Sequence, residues 1–342
     1  MIIIYFVKNF MPELLTRKIV LISDYVDPNK YSPQELAHER SFIATAKNEL
    51  NAYGMQVVYL EVTSLADLQT ALNHLDKTKV VIFNWCEFLN EQEGTAHIVT
   101  KYLTESGFTF TGASTECLVL TASKAQTKRV LGRHAIPTPA YSVIKRGKPT
   151  SAHPNYPLML KLEDRHSSAG ITADNVVYTP DQVTKVAHRL YTAYGADVLA
   201  EEFIAGQEYT CTVWGNGAAA ACVYISQEKY KDPGTLNINT EAGKFVAGSP
   251  DDLNLVSTEL RVESIKRKLC DTVLKTYTAL KFTDYGRFEL REKNGIYYVI
   301  DCNPNPWLGL DAVLFKGTKK LGYNYGETLL QICEFAVQRN IR

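Results

Sequence analysis

The chain has 342 residues, with 37 Lys and Arg balanced by 37 Asp and Glu, so no basic face announces nucleic acid or an anionic membrane. No apolar run approaches the roughly 20 residues that span a bilayer. The seven cysteines form no Cys-x-x-Cys pair, and such an odd, scattered set reads as reduced, mostly buried thiols of a cytoplasmic protein.

The opening apolar residues lack a basic start and a small-residue cleavage site, so no signal peptide is expected. Residues 18–23 (Lys-Ile-Val-Leu-Ile-Ser) have the pattern of a buried parallel strand, and 33–52 that of the helix after it. Strands at 56–60 and 80–84 and helices at 64–75 and 93–106 continue the alternation. This β-α-β-α-β-α order predicts a doubly wound domain over roughly residues 17–112. Its usual nucleotide signature is missing, because the loop after the first strand is Asp-Tyr-Val-Asp-Pro-Asn and no Walker motif occurs. Nucleotide binding is therefore expected elsewhere.

Residues 121–131 predict one helix with Lys124 and Lys128 a turn apart on one face. Strands follow at 140–145 and 156–162, the second carrying Lys161 near its end. The loop Glu-Asp-Arg-His-Ser-Ser-Ala-Gly comes next. A lysine beside a Ser-Ser-x-Gly loop makes a phosphate cradle of hydroxyls, backbone N–H groups and one cation, although such loops are common. A strand at 175–178 and a helix from Asp181 complete this region.

Glu201 closes the next strand, and Glu208 opens the one over 209–214. The two glutamates suit a base amine and a ribose diol, or stand exposed at strand ends. Residues 226–248 turn polar, with Pro233, Gly234, Gly243 and Gly248, which predicts a lid with Lys229 and Tyr230 at its root. One long amphipathic helix is expected over 253–280, and a closing helix over 325–337.

Between those helices, residues 284–309 predict two strands joined at Asn294-Gly295. Arg287 and Glu289 share one strand face, as do Asp301 and Asn303, while Phe288, Leu290, Ile300 and Cys302 fill the opposite faces. A two-residue loop turns Asp301 away from Glu289. A three-residue loop with Gly295 left-handed sets Arg287 opposite Asp301 and gathers all four polar groups, and this second register is the expected one. Two carboxylates, an amide and a guanidinium on one face call for a ligand. Hard oxygen donors suit Mg2+ bound to phosphate, and the guanidinium suits developing negative charge.

Taken in order, the lysine helix, Lys161 with its Ser-Ser-x-Gly loop, Glu-x-Phe-Ile-x-Gly-x-Glu, the lid, Arg-x-Glu and Asp-x-Asn resemble the ATP-grasp superfamily. Within it the chain is most similar to the D-alanine–D-alanine ligase branch. The resemblance implies an α/β (α+β) ATP-grasp fold with an N-terminal Rossmann-like domain at 1–112. A central subdomain at 113–200 and a C-terminal one at 201–342, with the lid at 226–248, would clasp ATP. It implies ATP with Mg2+ or Mn2+, amino-acid or small-peptide substrates, no nucleic-acid or membrane partner, and a homodimer as the candidate assembly.

Residue by residue, the resemblance puts Lys124 and Lys161 on the ATP phosphates and Ser167, Ser168 and Gly170 in the loop over the γ-phosphate. Glu201 and the backbone of Phe203 fall on the adenine edge and Glu208 on the ribose hydroxyls. Glu289, Asp301 and Asn303 fall on the metal ligands, and Arg287 on the residue that stabilises the acyl phosphate and tetrahedral intermediate. Lys229 and Tyr230 match the lid pair, and Glu35 the glutamate that holds a substrate ammonium. The chain departs from the pattern where Glu289 and Asp301 exchange the usual aspartate and glutamate. Trp307 falls on a glycine of the oxyanion site, at a cost in pocket volume. Ala312, next to Asp311, falls on the serine that anchors the second substrate's carboxylate. The implied activity is an ATP-dependent carboxylate–amine ligase, and D-alanine as both substrates is a separate question. The alternative is a non-catalytic ATP-binding sensor or scaffold.

Overall fold

Three sheets organise the chain, and a cleft opens between two of them. The structure, a computed structural model, describes residues 12–25, 33–90, 92, 94–146, 156–165, 168–229, 238–245 and 255–341, with backbone alone at 33–36, 38–39, 244–245 and 341.

The N-terminal stretch alternates as expected: α1 (Pro12–Leu15), β1 (Lys18–Asp24), α2 (Pro33–Ala52), β2 (Val57–Val62), α3 (Leu65–Leu72), β3 (Val80–Trp85) and α4 (Ala96–Glu105). The strands form a parallel sheet in the order β2-β1-β3. Ile19 to Ile22 are all buried in β1, the continuous apolar run of a strand covered on both faces. Ser64 and Asp67 cap α3 reciprocally, a signature written in the sequence.

The single helix expected over 121–131 is two helices, α5 (Thr115–Ala122) and α6 (Lys124–Arg133). Ser123 breaks it. Its backbone is extended and its Oγ accepts the Gln126 N–H at 3.2 Å, while Glu163 Oε1 accepts the Ala125 N–H at 3.0 Å. The break fixes Lys124 in a first helical turn. Then follow β4 (Tyr141–Ile144), β5 (Leu158–Leu162), β6 (Val176–Val177), α7 (Pro180–Tyr194) and β7 (Val198–Glu202), an antiparallel sheet ordered β4-β7-β5-β6 under α7.

The third sheet, β10-β9-β8-β11-β12, is built from β8 (Glu208–Trp214), β9 (Ala221–Lys229), β10 (Val256–Glu259), β11 (Tyr285–Lys293) and β12 (Ile296–Asn303). Two expectations fail here. Strand β9 runs into the expected lid, and the helix placed over 253–280 is β10 followed by α9 (Glu263–Ala279). Val-Ser-Thr-Glu favours extended backbone, and pairing with residues 226–229 of β9 satisfies its amides where a helix start would leave them open. Within the lid, α8 (Glu241–Phe245) is described, and 230–237 and 246–254 lie outside the described residues. Helices α10 (Val313–Lys320) and α11 (Tyr325–Ile341) close the chain. Residues of α11 share a core with the N-terminal sheet.

The β11–β12 hairpin corrects the expected register. Asn294 (φ 54°) and Gly295 (φ 77°) form a two-residue loop with Lys293 opposite Ile296, because positive φ at both positions matches the strand twist. The polar face is assembled further along. A bulge leaves Ile300 unpaired and shifts the register, so Glu289 faces Asp301 and Arg287 faces Asn303. Ile300 therefore turns to the cleft, where it was expected on the opposite face.

Asp284, fully buried with φ 65°, bolts this hairpin to the rest. Its carboxylate accepts the Gly112 N–H and the Asn216 amide, both at 2.8 Å, and lies 3.3 Å from Arg339 of α11. Among the described residues no helix is long and apolar enough to cross a membrane.

Candidate active site

A cavity of about 480 Å³ lies between the four- and five-stranded sheets. One wall is β11 and β12, with Arg287, Glu289, Arg291, Asp301 and Asn303; β8 and β9 add Glu208, Thr210 and Glu228. The other wall is Met159 and Lys161 of β5, Glu201 of β7, Lys124 of α6 and the loop at Ser168.

Charge is dense and buried on the second wall. Glu201 lies 2.6 Å from the Lys128 ammonium and 2.5 Å from that of Lys161. Burial by itself lowers the Lys161 pKa, but Glu201 and then Asp301 outweigh it and hold the group above the usual lysine range. Lys161 therefore stays cationic, 3.4 Å from the Ile300 carbonyl that the bulge exposes. Lys124 donates to the Arg165 carbonyl. Burial brings its pKa down to about 8, with Asp301 opposing.

That value predicts a pH effect. Lys124 is cationic below about 8 and neutral above it, so the attraction it would exert on the phosphates of a nucleoside triphosphate is lost as pH rises. Affinity measured by calorimetry across this range should fall by up to about tenfold. Lys124→Arg, which stays charged, should remove the step. An unchanged step in that variant would assign it to another group.

On the hairpin wall, Arg287 Nη2 lies 3.4 Å from Glu289 Oε1, and both side chains are about one quarter exposed. Asn303 Oδ1 accepts the Asn305 N–H at 3.0 Å, which orders the loop after β12. Two carboxylates and an amide on one face suit Mg2+ that completes its shell with water and phosphate oxygens. Among the described residues no three His, Cys, Asp or Glu side chains are arranged to hold a metal by themselves. The set fits a metal that arrives with phosphate.

Residues 203–207 carry the chain from one sheet to the other. The Phe203 N–H donates to the Pro157 carbonyl at 2.9 Å, so what its backbone offers a base is its own carbonyl. Glu208 is not an exposed strand end. Arg291 holds it at 2.6 and 2.9 Å. Burial pushes the Glu208 carboxyl up, Arg291 pulls it back, and Glu289 and Glu228 push it further up.

The other expected residues are placed unevenly. Ser168 (φ 63°) lines the cavity, while the Gly170 N–H, expected to face phosphate, donates to Glu241 Oε2 at 2.8 Å. Lys229 ends β9, exposed and not among the lining residues. Ser167, Tyr230 and the Glu35 side chain lie outside the described residues. Trp307 does not take up cavity volume as expected. Its ring packs 4.4 Å from Phe42 and 5.9 Å from Trp85, and its indole N–H donates to Asp311 at 3.2 Å.

Sequence reasoning missed Arg291 and Glu228. Arg291 was within reach, since the alternation of Arg287 and Glu289 continues to it. Glu228 carried no such signal, because β9 itself went unrecognised. Its carboxylate accepts from Ser226 at 2.6 Å and from Ser257, and it faces Glu208 across β8–β9.

The family model described as D-ala D-ala ligase C-terminus matches residues 131–334. The chain is 25% identical over 266 residues to the uncharacterized protein y4sG of Sinorhizobium fredii, covering 78% of this chain and 77% of that protein. It is 26% identical over 230 residues to the D-alanine–D-alanine ligase of Bordetella petrii, covering 66% and 67%. Among solved structures, the D-alanine–D-alanine ligase of Bacillus anthracis complexed with ATP aligns with a TM-score of 0.71 at 18% identity, covering 95% of this chain and 99% of that one. At that identity the likeness is one of fold.

Proposed function

Because the chain belongs to the D-ala D-ala ligase C-terminus family and is an ATP-dependent ligase forming carbon–nitrogen bonds, we propose that it joins an amino acid or small peptide to an amine through an acyl phosphate. Its fold is the ATP-grasp arrangement expected from the resemblance. The proposed division is 1–112, 113–200 and 201–342, with the second boundary better drawn at 203–207, since β7 reaches Glu202.

The observation that carries this proposal is the position of Arg287. It stands across from Asn303 and beside the Glu289–Asp301 pair, in one cavity with Lys124 and Lys161. In the proposed reaction the substrate carboxylate attacks the γ-phosphorus of ATP, the bond to ADP breaks and an acyl phosphate forms. The amine then attacks the acyl carbon and gives up a proton, and inorganic phosphate leaves with the electron pair of the broken carbon–oxygen bond. Glu289, Asp301 and Asn303 would hold Mg2+ or Mn2+, which supplies charge neutralisation on phosphate oxygens when bound. Lys161, kept cationic by Glu201, offsets phosphate charge together with Lys124. Arg287 stabilises the oxyanion of the tetrahedral intermediate. Ser168 closes on the γ-phosphate while Gly170 braces that loop through Glu241, Glu201 and the Phe203 carbonyl face the adenine side, and Glu208 faces the ribose. On the resemblance alone we also assign Ser167 to the phosphate loop, Lys229 and Tyr230 to the lid, and Glu35 to a substrate ammonium.

The acceptor end speaks against a D-alanine pair. Ala312, which caps the start of α10, carries no hydroxyl, and the neighbouring Asp311 is an anion. Neither of these two side chains can anchor a carboxylate on the acceptor, which favours an amine of different chemistry.

Phosphate release with ATP, Mg2+ and a matrix of D- and L-amino acids and simple amines, taken in pairs, tests the proposal. Turnover is expected only when a carboxylate and an amine are both present. Turnover with D-alanine alone would support the narrower activity. ATP binding without stimulation by any pair would leave a non-catalytic sensor.

A further inference from the structure

We propose that Arg291 is a positioning residue for the sugar of the bound nucleotide, fixing Glu208 so that one carboxylate oxygen is presented to the ribose hydroxyls. The proposal rests on the ATP reading above and goes beyond it. Arg291 is 5% exposed and follows Arg287 and Glu289 on the cleft face of β11. Its Nε and Nη2 both donate to Glu208 Oε2, at 2.9 and 2.6 Å. Among the described residues no hydrogen bond to Oε1 is formed. Arg291 Nη1 donates to the Ile204 carbonyl at 3.0 Å, and the guanidinium lies 5.1 Å from the centre of the Phe203 ring.

One side chain thus grips both ends of the crossing from β7 to β8, and Phe203, Ile204 and Glu208 all line the cavity. The backbone of the same strand end braces the crossing from below. Glu292 N–H donates to the Gln207 carbonyl at 2.9 Å, and a Cβ on Gly206 would meet the Glu292 carbonyl oxygen at 1.7 Å. The electrostatics require the guanidinium. Glu228 is buried and faces the largely buried Glu208 side chain across the strands, so without Arg291 the two carboxylates would repel each other. Glu208 would then be free to turn or to take up a proton. A fixed carboxylate with one committed oxygen and one open oxygen is a directional acceptor, suited to hydroxyls and unsuited to phosphate on the sugar.

The test compares ATP with 2′,3′-dideoxy-ATP on the full chain. Wild type should bind ATP about tenfold more tightly than the dideoxy analogue. In Arg291→Met the ratio should collapse to within about twofold, with the loss falling on KM for ATP more than on kcat. Glu208→Gln/Arg291→Met should show no further loss, because both changes act on the same contact. Should Arg291→Met fail to fold, Arg291→Lys decides. It keeps the charge but not the two-pronged grip, so a reduced ratio supports the proposal and an unreduced one overturns it. A wild-type ratio in Arg291→Met also overturns it, as does a wild type that binds both nucleotides equally. Wild type that binds neither overturns the ATP reading itself.

Discussion

Arg287→Ala is expected to lower kcat by about 10²–10³-fold while ATP affinity changes by less than about threefold. The expectation rests on what holds Arg287 in place. It sits mid-strand, between Thr212 of β8 and Asn303 of β12, so the sheets fix its Cα whatever the side chain does. Its ion-pair partner Glu289 is 3.4 Å away, and both are partly exposed, which makes the pair a minor contributor to stability, about 0–1 kcal/mol. The guanidinium is therefore little used by the fold and is available for charge that develops during reaction. Arg287→Lys should recover part of the rate, because a point charge remains but the planar donor pair does not. Rapid-quench measurement of ADP formation alongside product formation separates the two half-reactions. Wild-type turnover in Arg287→Ala would remove this residue from the chemistry.

The same hairpin shows what the sequence makes legible. Alternation placed Arg287 with Glu289 and Asp301 with Asn303, since a period of two is intrinsic to extended chain. The register was not legible. Asn294-Gly295 is a strong local signal for a two-residue loop, and the compensating bulge at Ile300 depends on a contact with another sheet, where the Ile300 carbonyl meets Lys161. The break at Ser123 was written in Ser-Lys-Ala-Gln, a cap pattern inside an otherwise helical run. Strand β10 was hidden because an edge strand of four residues owes its form to its partner β9 more than to its own pattern. The parallel alternation of the first hundred residues was the easiest to see, because buried strands and capped helices are both local signals.

Glu201 is the site residue whose surroundings the sequence hid most fully, and Glu201→Ala is expected to destabilise the protein by about 3–5 kcal/mol. Glu201 comes from β7, Lys161 from β5 and Lys128 from α6, and only the packed fold brings the three together. Side-chain exposures of 4% for Glu201, 4% for Lys128 and 12% for Lys161 mean that its removal strands two cations in a poorly solvated wall. Burial alone would raise the Glu201 pKa, but Lys128 and Lys161 outweigh it and hold the carboxyl below its ordinary value. A depressed carboxylate pKa contributes stability that is present above the unfolded value and lost as pH falls through the folded one. The destabilisation in Glu201→Ala should accordingly shrink in acid. Glu201→Ala/Lys128→Met should be less destabilised than Glu201→Ala alone, because one stranded charge is gone. Denaturant unfolding followed by two probes reads these differences. The experiment also separates two roles for one carboxylate. A glutamate used only to read the adenine edge would lose ATP affinity on substitution and leave stability alone. A glutamate that joins β7 to β5 and α6 would lose stability first, and ATP affinity through the loosened Lys161. The two ion pairs at 2.6 and 2.5 Å favour the second outcome.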